Sequence, residues 1–181
     1  GLLARGRRAP PGAARLRPGL CAVPPCGGRD LLVATVGRYD DDSAPSVMTC
    51  DEDAPAGRLA RRRLRVHDIH GQDLHVHDDG VFEFSMPAVL LAQLPSPGTP
   101  SMTTVAMLTA IDNIAVQMAD HQRAVVIAPA TVLSDRFLDP ASRQLRDSVL
   151  RLGRVRAVVR LPKGLVTARP RQQLTMWVLG P

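Results

Sequence analysis

With 181 residues, 45% of them hydrophobic and 22% charged, the chain is about one domain long and can bury a real core, which excludes a disordered tail. Its 23 basic and 17 acidic residues leave a formal charge of +6, carried almost wholly by arginine, since Lys163 is the only lysine. The five aromatics, Tyr39, Phe82, Phe84, Phe137 and Trp177, are scattered, which excludes a single-strand binder that stacks bases on one aromatic face.

No run reaches the roughly 18 to 20 apolar residues of a membrane span, and the arginine-rich opening has no signal-peptide core. A soluble, cytoplasmic protein is expected. Cys21, Cys26 and Cys50 are an odd number in a chain large enough to need no staples, so reduced thiols are expected. A start at Gly1 is expected of an excerpt or a processed product, and residues 1–19 are read as a poorly ordered arm ahead of a domain over 20–181.

Short apolar runs alternate with amphipathic ones, the pattern of strands joined by helical crossovers. Leu20 to Val23 is a first strand, followed by the turn Pro24-Pro25-Cys26-Gly27-Gly28 and a helix from about Asp30 to Arg38. Ser46 to Cys50 is a second strand, closed by Asp51-Glu52-Asp53. A helix from Ala54 to about Arg65 follows, with Leu59, Leu64 and Val66 as its apolar stripe, and a third strand is expected at Leu74 to His77. Ala88 to Ala92 is a buried strand that runs into the breaker-rich loop Gln93 to Pro100. The three-and-four spacing of Val105, Leu108, Ile111, Ile114, Ala115 and Met118 predicts a long helix over Thr103 to Met118. Ala124 to Ala128 is another strand. Asp139-Pro140 is a helix start, with a capping side chain before a first-turn proline, and that helix runs to Gly153. Val155 to Leu161 and Leu174 to Leu179 complete six or seven strands of a mostly parallel sheet in a three-layer, Rossmann-like α/β domain.

In an open α/β sheet, ligands bind at the carboxyl ends of strands near the point where strand order reverses. Three segments end strands suitably. Cys26-Gly27-Gly28 offers backbone amides at a helix start; Asp51, Glu52 or Asp53 stands about where a ribose-binding carboxylate belongs in a nucleotide-binding unit; and the Gln93 to Pro100 loop lies beside the same crevice. A plain turn and a solvated helix start are the more usual readings of the first two.

The order of these pieces resembles the N-6 adenine DNA methylase family, including methylation subunits of type I restriction-modification systems. Arg123-Ala-Val-Val-Ile-Ala-Pro-Ala-Thr-Val-Leu133 is similar to that family's strand ending in proline before a small turn, and Leu145 to Gly153 to its following helix. Arg156-Ala-Val-Val-Arg-Leu-Pro-Lys-Gly-Leu165 and Gln173 to Leu179 resemble its last two strands. The resemblance implies a class I S-adenosylmethionine-binding domain over residues 20 to 181. It places the cofactor at Pro24, Cys26, Gly27 and Gly28, with the ribose on Asp51, Glu52 or Asp53 and the adenine near Asp78 or Asp79. Val23 stands where the family has an acid, and Arg29 where it has a second glycine.

The family's catalytic motif is Asn or Asp, then Pro, Pro and Tyr or Phe; the matching stretch here is Gln93-Leu94-Pro95-Ser96. By resemblance, Gln93 and the Leu94 carbonyl accept hydrogen bonds from the target amine, Pro95 keeps one proline, and Ser96 replaces the ring that stacks on a flipped base. That stacking is worth about 1 to 3 kcal/mol per base.

His67, His70, His75 and His77 with Cys50 match no usual zinc spacing, and no metal is expected. Residues 136 to 171 hold ten basic side chains against Asp139 and Asp147, which forms either a phosphate-facing surface or an ordinary solvated exterior. The leading expectation is adenine 6-amino methylation of double-stranded DNA from S-adenosylmethionine, with sequence recognition supplied by a separate subunit, by another part of the polypeptide, or not at all. The alternative is a catalytically inactive methylase fold acting as a DNA-binding or regulatory module. A dehydrogenase-like nucleotide binder is a third reading, without the full Gly-x-Gly-x-x-Gly fingerprint.

Overall fold

The computed structural model describes residues 20–23, 29–36, 38, 47–50, 55–67, 71–74, 87–95, 99–136, 138–166 and 169–181. The expected arm, 1–19, lies outside them. In chain order the elements are β1 (Leu20–Val23), α1 (Arg29–Val36), β2 (Val47–Cys50), α2 (Pro55–Val66), β3 (Gly71–Leu74), β4 (Ala88–Gln93), α3 (Thr104–Gln117), β5 (Arg123–Pro129), α4 (Ala130–Leu133), α5 (Pro140–Arg151), β6 (Val155–Arg160) and β7 (Leu174–Leu179). The described strands form one sheet in the order β3-β2-β1-β4-β5-β7-β6. Pairing is parallel from β3 through β5. β7 runs antiparallel to both β5 and β6, so this half of the sheet is mixed.

β4 organises the layers. Its run Ala-Val-Leu-Leu-Ala has no polar alternation, as a central strand covered on both faces requires. Successive side chains point to opposite faces, so Leu90, Ala92 and Leu94 enter a core with α3, Val132 and Leu133 of α4, Val149 of α5, and Trp177 and Leu179 of β7. Leu91 and Val89 face the other way, toward Leu31 and Val33 of α1 and Leu64 of α2. The sheet therefore has helices on both sides. Each fully buried Leu contributes about 1.5 to 3 kcal/mol, and Leu90 and Leu108 are both completely shielded.

Local signals start the helices. Thr103 is extended and its side chain accepts from the Ala106 N–H at 3.1 Å, while Asp139 accepts from the Ser142 N–H at 2.9 Å ahead of Pro140. Beyond α5, Gly153 has φ of +67°, a left-handed conformation that turns the chain into β6.

Four sequence expectations need correction. The described part of β3 starts earlier than expected, at Gly71, because its register is set by β2, from Val47 opposite Gly71 to Cys50 opposite Leu74, and His75 to His77 lie outside the described residues. An edge strand needs no apolar alternation, so the polar Gln72 and Asp73 do not break it. Val66 is 80% exposed: it lies two residues, about 200° of helix rotation, beyond the inward-facing Leu64. In α3, Val105 is 45% exposed and Met107 takes the buried place, one turn before Ile111. Finally, the turn expected after Pro129 is one helical turn, α4, and α5 closes at Arg151 rather than Gly153.

Ile111→Ala removes a fully buried side chain and lowers unfolding stability by about 2 to 5 kcal/mol, whereas Val105→Ala changes it by no more than about 0.5 kcal/mol in urea denaturation. The Asp139 carboxyl is held below its ordinary value of 3.8 by the Ser142 side chain and then the Ser142 N–H. A value depressed by folding stabilises above the ordinary carboxylate range and fades as pH falls through the lower native value. Asp139→Asn keeps a capping oxygen but flattens that part of the acid limb in a pH series of urea midpoints.

Candidate active site

Strand direction puts the ends of β1, β2, β3, β4, β5 and β6 on one edge, the carboxyl edge, where β7 begins. Chain order reverses between β1 and β4, which are direct neighbours (Cys21 opposite Val89, Ala22 opposite Leu90). The carboxyl ends of strands at such a reversal are where open α/β sheets hold their ligand crevice.

Gln93 is the last residue of β4 and half-buried at this crevice. The ladder extends one bond further, with the Leu94 N–H donating to the Ile127 carbonyl at 2.8 Å. The Leu94 side chain is buried in the core, and the Leu94–Pro95 peptide is cis. Gln93, Leu94 and Pro95 are thus held by the sheet. Ser96, Pro24, Cys26, Gly27, Gly28, Asp51, Glu52, Asp53, Asp78 and Asp79 lie outside the described residues. The strands they follow are described: 24–28 continue from β1, 51–53 from β2, and 78–79 come four and five residues after β3.

A polar network braces the other side of the crevice. Arg160, the last residue of β6, donates to Asp135 Oδ1 and Gln173 Oε1, each at 3.0 Å. The Gln173 side-chain amide donates to the Leu161 carbonyl at 3.1 Å, and the Gln173 carbonyl accepts from the Ala130 N–H at 2.8 Å. From α5, Arg146 donates to the Asp135 carbonyl at 2.7 Å. Inside this frame the Ser134 and Thr175 hydroxyls share a hydrogen bond of 2.9 Å, with Thr175 fully buried. Sequence reasoning missed this frame: its side chains meet partners 11 to 41 residues away, and polar residues at strand ends look like solvent-facing ones.

The basic segment divides. Arg146 and Arg160 point into the frame, and Arg154 pairs with Asp120 at 3.2 Å. Arg151 and Arg156 lie toward the opposite, amino edge, where α5 ends and β6 begins. Arg136, Lys163, Arg169 and Arg171 are exposed on the carboxyl edge. Among the described residues no group of His, Cys, Asp or Glu is arranged to hold a metal ion, and no helix is long and apolar enough to cross a membrane.

No protein-family model matches the chain, and no curated protein matches its sequence. Solved structures do. The methyltransferase subunit of a type I restriction-modification system from Streptococcus thermophilus superimposes over 93% of this chain and 41% of its own, with a TM-score of 0.61 and 15% identity. The chain has a methyltransferase fold. A protein from Listeria monocytogenes assigned to the class I S-adenosylmethionine-dependent methyltransferases gives 0.61 at 12% identity, over 93% of this chain and 55% of that one. A methyltransferase from Pyrococcus furiosus gives 0.53 at 11% identity, over 90% and 76%. The chain spans about two fifths and about half of the first two structures.

Within this methyltransferase fold the Ser134–Thr175 bond is a stability element beside the crevice. Thr175→Val keeps the shape and deletes one hydroxyl, costing about 1 kcal/mol in urea denaturation, and Ser134→Ala costs less in that background than in wild type because the shared hydrogen bond is already gone.

Proposed function

We propose that the chain binds S-adenosylmethionine at the β1–β4 crevice and methylates the 6-amino group of adenine in double-stranded DNA. The observation that carries this reading is Gln93, a hydrogen-bonding side chain at the carboxyl end of β4, beside the strand that leads into Pro24-Pro25-Cys26-Gly27-Gly28. The type I restriction-modification methyltransferase subunit among the structures of similar fold supports it.

The donor set suits the cofactor. Adjacent glycines leading into the first turn of α1 offer backbone N–H groups and a positive helix end for a carboxylate. Asp51, Glu52 and Asp53 directly follow β2, the strand beside β1, and can accept from ribose hydroxyls. Asp79 is assigned to the cofactor's adenine. When bound, S-adenosylmethionine supplies an electrophilic methyl group.

The chain's own work is to present the nucleophile. The Gln93 side-chain oxygen and the Leu94 carbonyl accept the amine's hydrogens, turning its lone pair outward and spreading the positive charge that develops on nitrogen. The ladder bond from Leu94 to Ile127 holds both acceptors in place. Base contacts that select a DNA sequence belong to a separate recognition subunit.

A second reading, a methylase fold that binds DNA without turnover, is favoured by Ser96, Val23 and Arg29, which stand where the resemblance calls for a stacking ring, an acid and a glycine. Two measurements separate the readings. The first requires saturable S-adenosylmethionine binding in calorimetry and transfer of radiolabelled methyl to adenine in duplex DNA, lowered roughly 10²- to 10³-fold by Gln93→Ala. Cofactor binding with no transfer overturns the first and supports the second. Absence of cofactor binding overturns the first and leaves the second, which methyl transfer overturns.

A further inference from the structure

The exposed cations of the carboxyl edge are not evenly spread along it. β4, β5, β7 and β6 are in register there: Gln93 lies opposite Ile127, Ile127 opposite Met176, and Met176 opposite Val159. Three interstrand steps of about 4.8 Å put β6 roughly 14 Å from Gln93. Beyond this row the chain crosses from β6 to β7 through residues 161–173, which carry Lys163, Arg169 and Arg171 and no acidic residue. Arg136, just past α4, is exposed on the same edge. Of the nearby acids, Asp135 is paired with Arg160 at 3.0 Å and Asp139 accepts from the Ser142 N–H at the start of α5.

The crossing segment is anchored at both ends. Arg160 and Gln173 join its base, the Leu161 N–H donates to the Leu174 carbonyl at 2.9 Å, and Arg169 and Gln172 close successive turns at 2.9 Å. Gly164, with φ of +86°, makes the reversal next to Lys163.

We propose that Arg136, Lys163, Arg169 and Arg171 form a backbone clamp for duplex DNA, gripping phosphates on the β6 side of Gln93 along the carboxyl edge, and that Arg151 and Arg156 on the amino edge take no part. The inference rests on the reading of Gln93 as the methylation site and deepens it by naming the DNA-holding surface. A base drawn out at Gln93 and the phosphates flanking it then fall on a single edge.

The test is equilibrium binding of the full chain to a fluorescein-labelled duplex between about 50 and 200 mM salt. Each phosphate contact contributes about 0.9 to the slope of log affinity against log salt. The triple variant Lys163→Ala, Arg169→Ala, Arg171→Ala is expected to reduce that slope by about 3, while Arg151→Ala with Arg156→Ala leaves it unchanged. The side chains are exposed, so melting temperatures should match wild type, and the corresponding triple glutamine variant serves if the alanine variant does not fold. An unchanged slope in the carboxyl-edge variant, or a loss confined to the amino-edge one, overturns the clamp while cofactor binding and methyl transfer still judge the proposed reaction. Equal binding to anionic phospholipid vesicles or to single-stranded RNA overturns the assignment to duplex DNA.

Discussion

The structure depends on β4 being buried from both sides. An apolar strand without alternation has no solvent face to offer, so helices must pack on each face of the sheet: α3, α4 and α5 on one, α1 and α2 on the other. The same strand is the neighbour of β1 across the reversal of chain order. Where its apolar run stops, at Gln93, the sheet opens a crevice. Core and candidate site are thus consecutive parts of one strand.

The mixed half of the sheet solves a different problem. β7 enters between β5 and β6 in the opposite direction, which brings the β6–β7 connection back to the carboxyl edge beside the end of β5. Arg146, Arg160 and Gln173 tie that connection to the segment after α4, converting strand-end polar groups into a braced frame. At the free edge, β6 exposes Val158 and Val159 between Arg156 and Arg160. Flanking charge is a usual way to discourage a further strand from pairing there.

Much of this architecture was legible in the chain. The runs Ala88–Ala92 and Ala124–Ala128, the repeat Leu108-Ile111-Ile114-Ala115-Met118 and the Asp139-Pro140 start all carry local physical signals, and each corresponds to an element. β3 did not announce itself, because a short edge strand borrows its register from β2 rather than from its own pattern. Val66 and Val105 were misjudged because periodicity identifies a stripe but not where a helix runs past the sheet it covers. In the candidate site, Gln93 could be placed at a strand end from the apolar run before it. The bracing of its surroundings could not, since Ser134 meets Thr175 and Arg160 meets Asp135 only after three strands have paired.

Composition and order were enough to determine an α/β domain with strands ending in glycine, carboxylate and amide groups, because period, caps and breakers act within a few residues of their cause. They also counted the arginines. Which of those arginines join the strand-end polar network, which lie on the amino edge and which stand exposed on the carboxyl edge was settled only by the directions of β6 and β7. A strand's direction is a property of its neighbours, so no local pattern in the chain could carry it.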